Sequence, residues 1–190
     1  FNNLFITDGL IGYWNFDSPT STNNSSTTLD SSGYGNLGIL TNMAVGSGPT
    51  STVSSTFKFK NQQSFNFDGT NDVLIMSQAG FGNIFNVSQG TISYWAALRA
   101  MSANKTLMNI RTNGSNEIDT TWADSTSKIT LSYRASGTPH VASSTVISEN
   151  SAWHSIVLTW DKTANQVMGY VDGAQIGGIL TGLNTWAGGN

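Results

Sequence analysis

The sequence predicts an all-β fold, a sandwich of two antiparallel sheets, on three observations. About a dozen short apolar-rich runs are separated by clusters of Gly, Asn, Asp and Ser. Several alternate apolar and polar residues, as Phe57-Lys58-Phe59-Lys60 does, which is the period of a half-exposed strand. No window sustains apolar residues at the helical spacing i, i+3, i+4 and i+7. Two sheets packed face to face are the natural way to bury many strands that are each apolar on one side only.

The elements follow in order. Leu10 to Phe16, LIGYWNF, is the first strand candidate, bounded by Asp8-Gly9 and Asp17-Ser18-Pro19. Ser18 to Asn36 is almost entirely Ser, Thr, Asn and Gly and reads as a long surface loop, because apolar alternation resumes at Leu37 to Leu40. A second polar stretch, Gly46 to Thr56, leads into the Phe57–Lys60 strand. Ser64 to Asp68 and Val73 to Ser77 are strands separated by the turn Asp68-Gly69-Thr70-Asn71-Asp72, and Ala79 to Ser88 is irregular with a short helical turn. Thr91 to Leu98, Thr106 to Thr112, Glu117 to Trp122, Lys128 to Arg134 and Thr145 to Ser148 are the next strands. In Trp153 to Trp160 the set His154, Ile156, Leu158 and Trp160 is the more apolar and should face the core. Gln166 to Val171 and Ala174 to Leu180 flank Asp172-Gly173, a pair suited to a type I′ hairpin because both central residues need positive φ.

Composition narrows the function classes. A chain of 190 residues fits one large all-β domain spanning 1–190. Only 10% of residues are charged and the formal net charge is -3, so there is no electrostatic case for nucleic acid or an acidic membrane. There is no cysteine, which excludes a disulfide, a thiolate metal site and a cysteine nucleophile. No apolar run approaches the roughly 20 residues of a membrane-spanning helix. The chain starts at Phe1 and reads as part of something longer. No phosphate-binding loop or zinc spacing is present. The N-x-[ST] matches at Asn23, Asn24, Asn86, Asn104 and Asn113 are what an Asn-, Ser- and Thr-rich composition produces by chance.

Five segments in order carry a family resemblance: GLIGYWNFD, LDSSGYGNLGILTN, FNFDGTNDVLIM, TISYWAAL, and WHSIVLTWD with GYVDG. Together they resemble the concanavalin A-like lectin/glucanase superfamily in its laminin-G-like branch. The resemblance implies a concanavalin A-like jelly-roll sandwich that binds glycans or proteins and often holds calcium. It also implies a last acidic strand, for which this chain has only Thr185-Trp186-Ala187-Gly188-Gly189-Asn190, so the expectation is either a truncated chain or a neighbouring segment or subunit that completes the sheet.

Three chemistries are open. Asp30, Ser32, Gly33 and Asn36 can offer a carboxylate, carbonyls and an amide to a calcium ion, which takes roughly 6–8 oxygen ligands, and the resemblance adds Asp17. The same residues can instead form a tight turn in which Asp30 accepts local hydrogen bonds. The turn at Asp68 to Asp72 reads as structural. For a glycan, the loop aromatics Tyr34, Trp122 and Trp186 are the candidates, while Trp14, Trp95, Trp153 and Trp160 read as core. For catalysis, glycan hydrolases of the superfamily carry E-x-D-x-E or E-x-D-x-x-E. Glu117-Ile118-Asp119 begins that pattern, but Thr121 and Trp122 stand where its second glutamate belongs. Glu117 and Asp119 then read as solvent-facing charge near a strand end, and His154 as packed. The sequence therefore points to a non-enzymatic recognition or adhesion module at an extracellular, cell or virion surface. The second reading is a structural subunit of a fibre or surface filament.

Overall fold

The computed structural model describes residues 8–16, 26–42, 64–76, 84–99, 102–147 and 150–186. The chain divides into two compact units, 1–85 and 86–190. Every sheet in both is antiparallel.

The first unit holds a three-stranded sheet of order β1-β2-β3, with β1 at Ser26–Thr28, β2 at Gly38–Thr41 and β3 at Val73–Met76. Alternation sets its faces: Thr28, Gly38 and Leu40 are buried, whereas Ile39, Val73 and Ile75 are exposed. β1 falls inside the stretch expected to be loop. Leu10 to Phe16 forms no strand, and of Ser64 to Asp68 only Ser64 makes a bridge. The Leu10–Phe16 backbone bonds instead to the loop that contains Asp30 and Asn36, so a side chain takes the place of a ladder partner. The expected strand at Phe57–Lys60 lies outside the described residues.

The second unit is a sandwich of two four-stranded sheets. One has the order β11-β10-β9-β4, from β4 (Gln89–Arg99), β9 (Asn150–Asp161), β10 (Gln166–Val171) and β11 (Ala174–Leu180). The other is the meander β5-β6-β7-β8, from β5 (Lys105–Asn113), β6 (Asn116–Ala123), β7 (Lys128–Ala135) and β8 (Thr138–Ser143). The chain thus leaves the first sheet after β4, builds the whole second sheet, and returns at β9 to pair with β4 from Gln89↔Asp161 to Arg99↔Asn150. The expected strand at Thr145–Ser148 is absent among the described residues, and β8 takes its place.

The expected inward set of β9 is confirmed, with Ile156, Leu158 and Trp160 buried. They join Val167, Val171 and Ile176 against Ile118, Trp122, Ile129, Leu131 and Tyr133 of the other sheet. The two sheets approach closely at two glycines. A methyl on Gly169 would sit 2.6 Å from Leu131 Cδ1, and one on Gly177 2.8 Å from Ala142 Cβ. The Tyr94 and Thr120 hydroxyls bond to each other across the core, and burial pushes the Tyr94 phenol well above its usual range. The final segment, 181–186, lies along the meander: Ser136 Oγ donates to the Thr185 carbonyl at 2.7 Å, and Asn184 Nδ2 to Thr138 Oγ1 at 2.8 Å. Asp172 and Gly173 have φ of 53° and 78°, as the type I′ hairpin requires.

Candidate functional site

The first candidate, the Asp30 loop, is held together by its own carboxylate. Oδ1 accepts from the Tyr13 amide at 2.9 Å and the Ser32 amide at 2.8 Å, and Oδ2 from the Ser32 hydroxyl at 2.7 Å and the Asn36 amide at 3.0 Å. Burial raises the Asp30 pKa, but the Ser32 hydroxyl and the Tyr13, Ser32 and Asn36 amides more than offset it, and the carboxyl lies below its ordinary value. Asn36 is buried. Its Nδ2 donates to the Ile11 carbonyl at 2.9 Å, and its own carbonyl accepts from Trp14 Nε1 at 2.8 Å. Gly33 and Gly35, at φ 98° and 73°, supply the left-handed residues the loop needs.

These described residues do not fit a calcium ion. Each Asp30 oxygen already takes two protein donors, and the Asn36 side chain points a donor nitrogen at Ile11. Asp17 lies outside the described residues. Among the described residues no group of three or more His, Cys, Asp or Glu stands where it could hold a metal. In the second oxygen-rich turn Asp68 Oδ1 accepts from the Thr70 amide at 2.7 Å and Asp72 Oδ2 from the Asp68 amide at 2.8 Å, while Asp72 Oδ1 is shielded from solvent without a hydrogen-bond partner.

The structure redistributes the aromatic candidates. Tyr34 is 59% exposed in the Asp30 loop of the first unit. Trp122 and Trp186 are not loop-surface rings, which corrects their expected placement. Trp122 is on the inward register of β6 between Thr120 and the β7 partner Ile129, and is 0% exposed. Trp186 is 7% exposed, its ring 5.8 Å from that of Tyr133 and its Nε1 donating to Thr112 Oγ1 at 3.1 Å. Conversely, Trp95 faces outward opposite Ser155 and is 54% exposed, although the sequence placed it in the core. His154 is packed as expected: its Nδ1 donates to Asp172 Oδ2 at 2.7 Å, while Asp172 Oδ1 takes the Ser155 amide at 2.9 Å, fixing the base of the hairpin.

The richest collection of polar side chains is on the outward face of the meander. Alternation along β7 buries Ile129, Leu131, Tyr133 and Ala135 and turns Lys128, Thr130, Ser132 and Arg134 the other way, although Ser132 is buried there by its neighbours. The β6 alternation does the same for Glu117, Asp119 and Thr121. Register then assembles rows across the strands. Arg111, Glu117, Arg134 and Pro139 form one, Asn109, Asp119, Ser132 and Val141 the next, and Thr106, Thr121, Thr130 and Ser143 a third. Neighbours within a row stand about 5 Å apart, and rows about 7 Å. Asp119 is half-buried. Desolvation pushes its carboxyl up, the Ser132 hydroxyl opposes this, Glu117 adds to it by charge and by a shared hydrogen bond, and Arg134 opposes; the net is a raised pKa. Arg134 Nη1 donates to the Gly114 carbonyl at 3.4 Å, while its Nε is shielded from solvent without a protein acceptor. Sequence reasoning singled out Glu117 and Asp119 from this face but missed Asn109, Arg111, Ser132 and Arg134. The alternation in β6 and β7 was the available signal, whereas the cross-strand rows depend on register.

A family model described as the concanavalin A-like lectin/glucanases superfamily matches residues 67–190. The chain belongs to this superfamily. The match runs from the last strand of the first unit through the whole of the second, so the polar face of the meander falls inside it and the Asp30 loop outside. A comparison with curated proteins gave no match. This concanavalin A-like chain therefore carries two acidic centres of opposite character, one closed on itself in a loop and one set in a half-buried polar row of a sheet. Among the described residues no helix is long and apolar enough to cross a membrane.

Proposed function

We propose that this chain is a non-catalytic carbohydrate-binding or adhesion module, working at an extracellular, cell or virion surface, whose ligand lies across the outward face of β5–β8. The observation that supports this reading most is the row arrangement there: carboxylates, guanidinium groups, an amide and hydroxyls share one side of the sheet and supply both donors and acceptors. A glycan needs such groups around its hydroxyls. Superfamily membership agrees with it, though fold alone does not assign a function.

A hydrolytic reading is weaker. Retaining hydrolysis needs two carboxyls about 5 Å apart with separate roles as nucleophile and acid. Glu117 and Asp119 are the two acids on the outward side of β6, and Thr121, which cannot serve as a second glutamate, stands at the next outward position. The only other glutamate, Glu149, is outside the described residues. A structural-subunit reading is favoured by one observation, the exposed apolar pair Ile39↔Ile75 beside Val73 on the sheet of the first unit.

A glycan array probed with the 190-residue chain, with calcium and with chelator, tests the recognition reading. Binding that persists in chelator is the expected result. Binding abolished by chelator would return calcium to the ligand site and move attention to Asp17 and the Asp30 loop. A folded chain that binds no glycan would favour the subunit reading, and its state of association would then be measured.

A further inference from the structure

We propose that Asn113-Gly114, in the turn between β5 and β6, is a self-modification site: in the folded chain it closes to a succinimide and reopens as aspartate and isoaspartate, without an enzyme. It is the only Asn-Gly pair in the 190-residue sequence.

The Gly114 amide nitrogen loses its proton and attacks Cγ, the side-chain carbonyl carbon of Asn113. A bond forms from Gly114 N to Asn113 Cγ, the Cγ–Nδ2 bond breaks, and ammonia leaves with the proton. Water then opens the ring at either carbonyl and returns a hydrogen to the Gly114 nitrogen. One opening gives aspartate. The other gives isoaspartate, in which the main chain runs through the former side-chain carbon. The sum is one amide and one water exchanged for one carboxyl and one ammonia, with no oxidant, reductant or cofactor.

Three features of the turn favour the attack. The first is the electrophile. Asn113 Oδ1 accepts from the Ser115 amide at 2.9 Å and from Asn116 Nδ2 at 3.0 Å. Negative charge gathers on Oδ1 as the nitrogen adds, so both donors already point at the oxygen that becomes the oxyanion. Asn116 is 1% exposed and its own Oδ1 takes the Ser136 amide at 3.0 Å, which fixes that donor in place. The second is the nucleophile. β5 ends at Asn113 and β6 begins at Asn116, so the Gly114 amide lies beyond the ladder. Gly114 has no side chain to crowd the ring, and a methyl on it would meet nothing within 4 Å. The third is access. Asn113, Gly114 and Ser115 are all exposed, so water reaches the ring and ammonia leaves it.

Other turns of the chain have some of these features but not all. Asn86 is exposed, and its Oδ1 also accepts two amides, Ser88 at 2.9 Å and Gln89 at 3.3 Å. The next residue is Val87, whose branched side chain crowds the attacking nitrogen. Asp68-Gly69 and Asp172-Gly173 have the glycine, but a carboxylate is a poor electrophile and releases no ammonia. Asp172 is moreover tied to His154 and to the Ser155 amide.

Either product puts a carboxylate at the tip of the β5–β6 hairpin, where Arg134 Nη1 donates to the Gly114 carbonyl at 3.4 Å. Isoaspartate also lengthens the backbone by one carbon at the last pair of the ladder, Asn113↔Asn116. The converted hairpin is more negative and looser at that end, and the converted fraction rises with the age of the chain.

The test incubates the whole chain at pH 5 and pH 9, folded and in urea, and follows aspartate and isoaspartate at each asparagine by peptide mass mapping. The expected result in the folded chain is faster conversion at Asn113 than at Asn86, and faster at pH 9 because the Gly114 nitrogen must lose its proton. Gly114→Ala should slow conversion roughly tenfold by hindering the approach of that nitrogen. This variant keeps the fold, since Gly114 is not in the left-handed region and has room for a methyl. Asn116→Asp removes one donor from Oδ1 and should slow conversion severalfold; if it does not fold, wild type against Gly114→Ala decides alone. Conversion in urea but not in the folded chain would overturn the inference. So would a rate at Asn113 no higher than at Asn86, or one that Gly114→Ala leaves unchanged.

Discussion

Asp30 and Asp119 are the two acids that this fold treats in opposite ways. Asp30 sits in a loop where three backbone amides and one hydroxyl converge on its oxygens, so the folded state prefers it ionised. Asp119 sits in a strand, where backbone amides are committed to the ladder with β5 and β7 and cannot turn to its side chain. Its local partners are a hydroxyl and another acid, and the folded state resists its charge. A carboxylate in a loop can recruit the backbone and become structural; one on a sheet face cannot, and remains open to something from outside. Chemical type and spacing do not separate these cases, because the difference lies in where the amides are spent.

The comparison can be broken by mutation. Asp30→Ala removes the acceptor of four hydrogen bonds and frees the Tyr13 segment from its loop, so it should destabilise the chain by about 2–3 kcal/mol in urea unfolding. A change under 0.5 kcal/mol, well below ~1 kcal/mol for even one lost bond, would mean that water replaces those bonds at no cost. Gly90→Ala is a control in the second unit that touches neither acid. Its methyl would meet the Trp160 ring at 2.4 and 2.6 Å, a rigid obstacle, and the expected loss is about 1–3 kcal/mol. Asp119→Asn should lie within about 1 kcal/mol of wild type at pH 7, with any shift toward greater stability. A large loss there would make Asp119 a structural acid like Asp30.

Acid titration sharpens the same contrast. The lowered pKa of Asp30 gives stability that is complete above its unfolded value and is lost as pH falls through the folded one. The raised pKa of Asp119 works the other way: its contribution is complete below the unfolded value and is lost as pH rises through the folded one. Between pH 7 and pH 3, Asp30→Ala should therefore lose less stability than wild type, and Asp119→Asn should lose more. Parallel pH–stability curves for all three proteins would contradict both assignments.

Much of the second unit was legible in the sequence because its signals are local. Asp172-Gly173 specified its own hairpin, and alternation in β9 specified its core face. Elements that depend on distant partners were not. LIGYWNF has the composition of a strand, yet its amide and carbonyl groups are met by Asp30, Asn36 and Ser31 rather than by a neighbouring strand. β8 contains Pro139, which read locally argues against a strand. It is an edge strand of the meander, where a missing amide is tolerated. Trp95 and Trp122 exchange their expected places although alternation marks both: Trp95 shares its face of β4 with Thr91 and Ser93, and Trp122 its face of β6 with Ile118 and Thr120. Register between distant strands kept the polar rows hidden. Glu117 and Asp119 were visible as a pair, but nothing in the sequence brings Asn109, Ser132 and Arg134 beside them.

The return of the chain from β4 to β9 bears on how the molecule forms. The β4–β9 ladder begins at Arg99↔Asn150, so the entire meander is a loop that must close before that ladder can zip. Strands β5 to β8 pair only with sequence neighbours and carry little closure entropy, whereas β4 waits for a partner made some fifty residues later. The polar face of the meander can be in place while the sheet behind it is still incomplete, and until β9 arrives β4 lacks the ladder partner it has among the described residues.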